Sequence, residues 1–243
     1  MNDSTHRQLR AINRRFYDRH GAEFASRRTR PWPGWTPLLD RLRRDGLVDR
    51  PRVLDVGCGH GRFARFLADS GLEPQCLGLD QSLALLKMAG NSLVPVCADA
   101  QAQLPVRGQF DLVAAFGLMH HIAGEQARLE LAQRLLKRVA PGGWLVLTFW
   151  FADSKRRGRA MPMERELKGE ALERGDVLFP WGERESGADK GCSVRYCHFF
   201  TEQEVDTIQQ ALNVDPDWRF RADGRENREN EYLVLRPNSR SSP

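Results

Sequence analysis

Three acidic residues stand where carboxylates can meet a ligand at the ends of apolar runs. Asp55 lies within Val53-Leu54-Asp55-Val56 and is followed at once by Gly57-Cys58-Gly59-His60-Gly61. Asp80 closes Leu77-Gly78-Leu79-Asp80, and Asp99-Ala100 follows the run that ends at Cys97. A main chain without Cβ atoms can approach a ligand closely, and the helix a glycine loop opens offers unpaired N–H groups and a positive dipole end. The spacing Gly57-x-Gly59-x-Gly61 is one residue tighter than the Gly-x-Gly-x-x-Gly of dinucleotide-binding folds. With an acid inside the strand itself, it favours a cofactor that carries an amino acid over one that carries a pyrophosphate. Asp80, 25 residues after Asp55, can accept from both hydroxyls of a ribose. Asp99 and the Ala100 amide can meet an adenine edge. Any one of these acids reads equally well as a cap or turn residue, but three at successive strand ends point to a single ligand.

Placing three strand ends together requires a parallel sheet with helices between the strands. The chain alternates accordingly: strand 52–56, helix 62–70, strand 75–79, helix 82–89, strand 93–97, strand 110–116, helix 124–139 and strand 144–151 after a Pro141-Gly142-Gly143 turn. Before this core, Leu9, Ile12, Phe16 and Phe24 recur at helical spacing over residues 4–28, an amphipathic arm. Arg30-Pro31-Trp32-Pro33-Gly34 breaks it, and a second helix spans 36–45. Residues 152–200 interrupt the rhythm as a charged insertion of the kind that covers active sites. A helix at 201–212 and strands at 218–222 and 231–235 follow, joined at Gly224. The organisation reads as one domain over 1–237: arm 1–50, core 51–151, insertion 152–200, C-terminal elements 201–237, and a disordered tail 238–243.

Composition narrows the class. The chain has 243 residues, 41% of them hydrophobic, with no apolar run of membrane-spanning length and no apolar stretch behind its first charges. A cytoplasmic protein without a membrane segment is the default expectation. Its five cysteines are odd in number, and Cys58, Cys76 and Cys97 lie on or beside predicted core strands, which argues against disulfides. Cys192, Cys197 and His198 lack a second ligand pair at zinc-like spacing, so no metal site is assigned. The net charge is +5, and residues 1–52 hold thirteen Arg against six acids. Such a footprint suits a polyanion or an acidic substrate, although 32 Arg against 5 Lys also reflects a general preference for arginine.

Residues 51–151 resemble the core of class I S-adenosylmethionine-dependent methyltransferases, with Arg138-Val139-Ala140-Pro141-Gly142-Gly143 as the turn before their fifth strand. The resemblance implies a seven-stranded Rossmann-like α/β fold with an N-terminal helical arm and an insertion after the fifth strand. It implies S-adenosylmethionine as cofactor, with Asp55, Gly57, Cys58, Gly59 and Gly61 at its methionine end and Asp80, followed by Gln81, at the ribose. Asp99 and Ala100 would hold the adenine, while Phe116, Gly117 and Leu118 bound the methyl-donor pocket.

Four further segments resemble the tRNA methyltransferases that esterify 5-carboxymethyluridine at the wobble position. They are Asn13-x-x-Phe16-Tyr17 with Arg30-Pro31-Trp32-Pro33; Leu118-Met119-His120-His121; Phe179-Pro180-Trp181 with Arg195-Tyr196-Cys197-His198-Phe199-Phe200; and Arg228-Glu229-Asn230-Glu231-Tyr232. Ile122 and Glu231 stand where that group has Trp, and the insertion is shorter than in its eukaryotic members. The resemblance implies tRNA as partner and allows a small zinc-binding activator protein. A carboxylate is already ionised at pH 7, so positioning dominates its methylation, and a guanidinium can hold it bidentately. Arg30, Arg195 and Arg228 are the candidates for that role. His120 and His121 can hydrogen-bond the acceptor, or act as base toward a hydroxyl or amine, or simply pack. Trp32 and Tyr196 can stack a flipped base. The rival readings are a small-molecule O- or N-methyltransferase and a non-catalytic scaffold subunit that binds the cofactor.

Overall fold

The computed structural model describes residues 1–151, 153–161, 163, 172–181, 193–224 and 226–237. Five strands lie parallel: β1 (Arg52–Val56), β2 (Gln75–Asp80), β3 (Val94–Cys97), β4 (Phe110–Ala115) and β5 (Val139–Trp150). A separate antiparallel hairpin follows, made of β6 (Asp176–Trp181) and β7 (Ser193–His198). Strands β8 (Pro216–Ala222) and β9 (Asn230–Leu235) then return antiparallel to the main sheet, whose order is β3-β2-β1-β4-β5-β9-β8. This is the anticipated seven-stranded sheet. The insertion 152–200 contributes the hairpin and the short helix α6 (Ser154–Arg159), while the tail 238–243 lies outside the described residues.

The central strands are unbroken apolar runs because each buries both faces. Val53, Leu112 and Val146 pack against α2 (Trp35–Arg44) and α3 (Arg62–Asp69), while Leu54, Val113 and Leu147 pack against α5 (Glu125–Leu136) and α7 (Glu202–Leu212). The Pro141-Gly142-Gly143 segment does not precede β5 as anticipated but lies within it. Phe110 pairs with Val139 and Leu112 with Trp144, so residues 140–143 are looped out as a bulge, with Gly142 at φ +79°.

Strand order reverses between β1, whose chain continues outward to β2, and β4, which lies on its other side. The crevice at this switch, beyond the carboxyl ends of the strands, is where such sheets bind ligands. The long helix α1 (Asp3–Ser26) lies near it and packs against β7 and α4 (Leu83–Lys87). It begins at Asn2, whose side chain accepts from the Thr5 N–H at 2.9 Å.

The turn after α1 is fastened to the C-terminal strands by one buried carboxylate. Asp223 Oδ1 accepts from the Gly34 N–H at 2.9 Å, and its Oδ2 accepts from the Tyr232 hydroxyl at 2.7 Å and Asn230 Nδ2 at 2.9 Å. Asp223 itself sits at φ +68°. Asp223→Ala should therefore lower the unfolding free energy by about 2–4 kcal/mol, from stranded buried donors plus the strain of alanine in a left-handed conformation. Denaturant unfolding checks this, and a loss under about 1 kcal/mol would remove Asp223 as the fastener.

Candidate active site

A cavity of about 350 Å³ opens at the switch point. Every cofactor residue named from the sequence lines it except Gly61. Gly61 instead caps α3 at φ +73°, where an added Cβ would stand 2.6 Å from Ser92 Oγ. The loop is drawn onto the end of β2, since the N–H groups of Gly57 and Cys58 both donate to the Leu79 carbonyl, at 2.7 and 3.1 Å. Asp80 completes this closure, with Oδ2 accepting from Gly59 N–H at 2.9 Å and Oδ1 from Ser82 N–H at 2.8 Å. At Gly59, φ +56°, the space a side chain would take is open.

Asp55 is buried beside this loop, and among the described residues no hydrogen bond reaches its carboxyl. Burial, with the negative charge of Asp80 adding to it, pushes its pKa up to about 7. A buried acid that lacks a donor and borders a glycine cradle fits the ammonium of an amino-acid-bearing cofactor. Asp99 accepts from the Gln101 N–H at 2.9 Å and stands 3.5 Å from Arg10 of α1. The donor set thus suits S-adenosylmethionine: an acid for its ammonium, and Asp80 and Asp99 spaced along the strand ends for its nucleoside.

The other half of the cavity is walled by α1, the 3₁₀ turn Met119–His121, the end of β5 and the β6–β7 hairpin. His121 Nδ1 donates to the Tyr196 carbonyl at 2.8 Å, which leaves Nε2 to accept from the Tyr17 hydroxyl at 2.8 Å. Burial and the Arg195 charge bring the His121 pKa down to about 3. His120, packed against the Trp150 ring at 5.1 Å, is likewise held well below the usual histidine range by burial and by His121. Burial raises Tyr17 to about 12 and the Cys197 thiol to about 11. All four groups are therefore neutral at pH 7.

Arg195 stands among them, 6% exposed, with its guanidinium 5.3 to 5.9 Å from the ring centroids of Phe16, Phe24, Phe179 and Trp181. Its Nε and Nη1 have no hydrogen-bond partner among the described residues. Arg28 lies close by, its guanidinium 3.8 Å from the Phe24 ring centroid. Burial and Arg195 lower its pKa to about 10, so it stays cationic at pH 7. It makes no ion pair among the described residues. Arg156, by contrast, is paired with Glu229 at 2.8 Å.

Of the residues named for acceptor chemistry, His120, His121 and Arg195 reach the cavity, whereas Arg30 and Arg228 do not. Arg30 is exposed just past the end of α1, its carbonyl accepting from Arg62 Nη1 at 3.1 Å. Arg28, two residues earlier, faces inward instead. Arg228 is exposed in the turn before β9, and the inward positions there are Glu229 and Asn230. Trp32 does line the cavity but is stacked on Trp35, with centroids 5.5 Å apart. Tyr196 is not available to stack a base: it is fully buried, and its hydroxyl donates to Asp176 Oδ1 at 2.6 Å. Cys197 and His198 occupy opposite faces of β7 and cannot share an ion, and Cys192 lies outside the described residues. Arg28, Trp150 and Glu229 were missed. Arg28 belongs to a basic run that the sequence does show, but choosing among Arg27, Arg28 and Arg30 requires knowing where the helix ends.

A switch-point crevice with a glycine cradle, acids at successive strand ends and a walled second chamber defines a Rossmann-like group-transfer enzyme. The chain belongs to the methyltransferase-domain family, which it matches over residues 14–214. It is 24% identical over 207 residues to a tRNA (carboxymethyluridine(34)-5-O)-methyltransferase of Schizosaccharomyces pombe, covering 79% of this chain and 83% of that one. To the protein of the same name in Arabidopsis thaliana it is 30% identical over 144 residues, 58% of this chain and 33% of that one. The chain thus spans about a third of the length of the first curated relatives it matches. Among solved structures, an S-adenosylmethionine-dependent methyltransferase from Clostridium acetobutylicum superposes with a TM-score of 0.63 at 12% identity, over 92% of this chain and 97% of that one.

The state of Asp55 makes a prediction for the ligand-free protein. A carboxyl raised from 3.8 to about 7 on folding contributes stability that is full below pH 3.8 and is lost as pH rises through 7. Asp55→Asn should remove that loss, so that relative to wild type it gains on the order of 2–4 kcal/mol between pH 4 and pH 8. Unfolding at both pH values measures it; equal pH profiles for the two proteins would show that Asp55 is not strained by its burial.

Proposed function

We propose that the protein transfers the methyl group of S-adenosylmethionine to the carboxylate of a 5-carboxymethyluridine at the wobble position of tRNA, forming a methyl ester. The observation that carries this reading is Arg195, a buried cation whose Nε and Nη1 meet no acceptor among the described residues, set among neutral Tyr17, His121 and Cys197 with a second cation, Arg28, close by. Burying an unpaired charge is costly, and an anion in the chamber removes the cost. A carboxylate can meet one edge of a guanidinium, Nη2 with Nε or with Nη1, through parallel hydrogen bonds.

When bound, the cofactor supplies a sulfonium methyl as electrophile: a carboxylate oxygen takes the methyl carbon while the carbon–sulfur electron pair stays on sulfur. No proton moves, so the chain need not supply a base. His120 and His121, both neutral, wall the chamber, and His121 is fixed there with both ring nitrogens engaged by Tyr196 and Tyr17. The aromatic rings around Arg195 keep water out and hold its guanidinium in place, with no acid among the described residues to compete for it.

Two features favour RNA over a free organic acid. The outer face of α1 presents Arg7, Arg14, Arg15 and Arg19, all exposed, beside the chamber that its inner face walls. The names of the relatives point the same way. Action on tRNA belongs with a cytoplasmic location, and among the described residues no helix is long and apolar enough to cross a membrane. A small activator protein also fits this reading: β3 is an edge strand with Val94 65% exposed, and Leu83 and Met88 are exposed on the adjoining α4 segment.

Incubation with methyl-labelled cofactor and either deproteinised tRNA or a small-molecule extract tests the proposal. The expected product is label in tRNA that mild base releases as volatile methanol. Base-stable label in tRNA would overturn the ester, and label confined to the extract would overturn RNA. Arg195→Ala should lower transfer at least tenfold, the equivalent of about 1.5–3 kcal/mol for hydrogen bonds to a charged group, while calorimetric cofactor affinity stays within twofold. Undiminished transfer would remove Arg195 from acceptor recognition.

A further inference from the structure

The β6–β7 hairpin carries Arg195 into the chamber on one face. The opposite face carries a buried polar cluster that takes no part in the chemistry above. His198 is fully buried at its centre, with Nδ1 2.8 Å from Asp176 Oδ1 and Nε2 2.8 Å from Glu204 Oε1. Carboxylate oxygens only accept, so each ring nitrogen must donate and the ring is an imidazolium.

Every element packed around the ring contributes a charge or a polar group. Asp176 lies on β6, and Glu204 is in the first turn of α7, where it also completes a capping box with Thr201. Glu173, before β6, stands 3.8 Å from Nδ1 and receives the buried Arg128 of α5 at 2.5 Å. Arg128 also lies 3.9 Å from Glu204, and the Tyr196 hydroxyl shares Asp176 Oδ1 with His198. Two of the three carboxylates, Glu173 and Glu204, thus face the one guanidinium, and the imidazolium between Asp176 and Glu204 supplies a second positive charge.

The same bonds lead back to the chamber by two routes. Tyr196 accepts from His121 Nδ1 through its carbonyl and donates through its N–H to Asn13 Oδ1 at 2.8 Å. Arg128 donates through Nη1 to the Ile122 carbonyl at 3.1 Å, beside the turn that holds His120 and His121.

We propose that His198 is a positioning residue, and that its imidazolium, clasped between Asp176 and Glu204, seats the hairpin so that Arg195 faces the acceptor. It touches neither cofactor nor acceptor. Its effect on acceptor recognition rests on the methyl-transfer reading above; its effect on the hairpin does not.

The seat is pH-dependent with a definite sign. Burial opposes the charged ring, but the bonds to Asp176 and Glu204 outweigh it and raise the His198 pKa above the usual histidine value. Burial likewise opposes charge on Glu204, and the bonds from His198 and Thr201 prevail, bringing it down to about 2. A raised histidine pKa gives a contribution that is full below the unfolded value near 6.5 and is lost as pH rises through the folded one. The hairpin should therefore loosen on the alkaline side.

Hydrogen exchange of the hairpin amides, corrected for intrinsic rates and followed from pH 6 to pH 9, tests the seat on the full chain. Wild type should lose at least tenfold of its protection at residues 193–198 across that range, while β1 and β4 do not. His198→Gln should be poorly protected throughout and lack the pH step. If His198→Gln does not fold, Glu204→Gln, which keeps the shape but not the charge, should show the same loss. Equal protection and slope in wild type and in whichever variant folds would overturn the proposal.

On tRNA carrying 5-carboxymethyluridine, the variant should raise acceptor KM at least tenfold with cofactor affinity unchanged. A loosened hairpin in a protein whose wild type transfers no methyl would sink the functional reading and leave the seat standing. A loosened hairpin with unaltered acceptor KM would overturn the link to Arg195.

Discussion

The acceptor chamber is organised around a buried charge, Arg195, that no group among the described residues neutralises. A guanidinium out of water and away from any acid is among the more expensive groups a fold can carry, with a desolvation penalty of several kcal/mol. Around Arg195, Tyr17 and Cys197 are held uncharged by burial and His121 by burial together with Arg195 itself, while Arg28 adds a second positive charge. Four aromatic rings replace part of the lost hydration through their quadrupoles. Among the described residues no acid pairs with the guanidinium, which suits an anion from outside.

Maintaining this state requires three segments that are distant in sequence to converge. Phe16, Tyr17 and Phe24 come from α1, His121 from the turn after β4, and Phe179, Trp181 and Arg195 from the hairpin. Asn13 and Tyr196 are the joint: Tyr196 donates through its N–H to Asn13, and its carbonyl accepts from His121. The cofactor half is simpler. It is produced by the sheet, because strand order reverses beside β1 and the loop after it has nowhere to close except onto the Leu79 carbonyl and the Asp80 carboxylate.

This difference decides what could be read from sequence. The cofactor half is local: glycines and acids sit within a few residues of strand ends, and β1 occupies the anticipated residues 52–56. The acceptor half is tertiary. Arg195 could be named from its motif, yet Arg28, Arg30 and Arg228 cannot be sorted by type, because orientation depends on where α1 stops and on the phase of the turn before β9. Tyr196 looked like a stacking residue, but strand alternation puts its ring on the face of Asp176, away from the chamber. The bulge at 140–143 escaped because Pro-Gly-Gly is turn chemistry whether it stands before a strand or inside one. The hairpin escaped because the segment between its strands is long and polar, which from sequence reads as loop.

The cavity's two halves carry opposite charge, and this matches the proposed reaction better than either half does alone. Asp55 and Asp80 stand where the cationic donor would bind, while Arg28 and Arg195 stand where an anionic acceptor would bind. Low-dielectric walls make both attractions stronger than in water. Transfer to a carboxylate cancels a sulfonium against a carboxylate and yields a neutral thioether and a neutral ester. The ester then lacks the charge by which the carboxylate was held, so the guanidinium that gathers the acceptor does not retain the product. Methylation of a neutral amine or hydroxyl would leave Arg195 as uncompensated before the reaction as after it. For a carboxylate, a guanidinium that is unpaired among the described residues is the group that would recognise the substrate and let go of the ester.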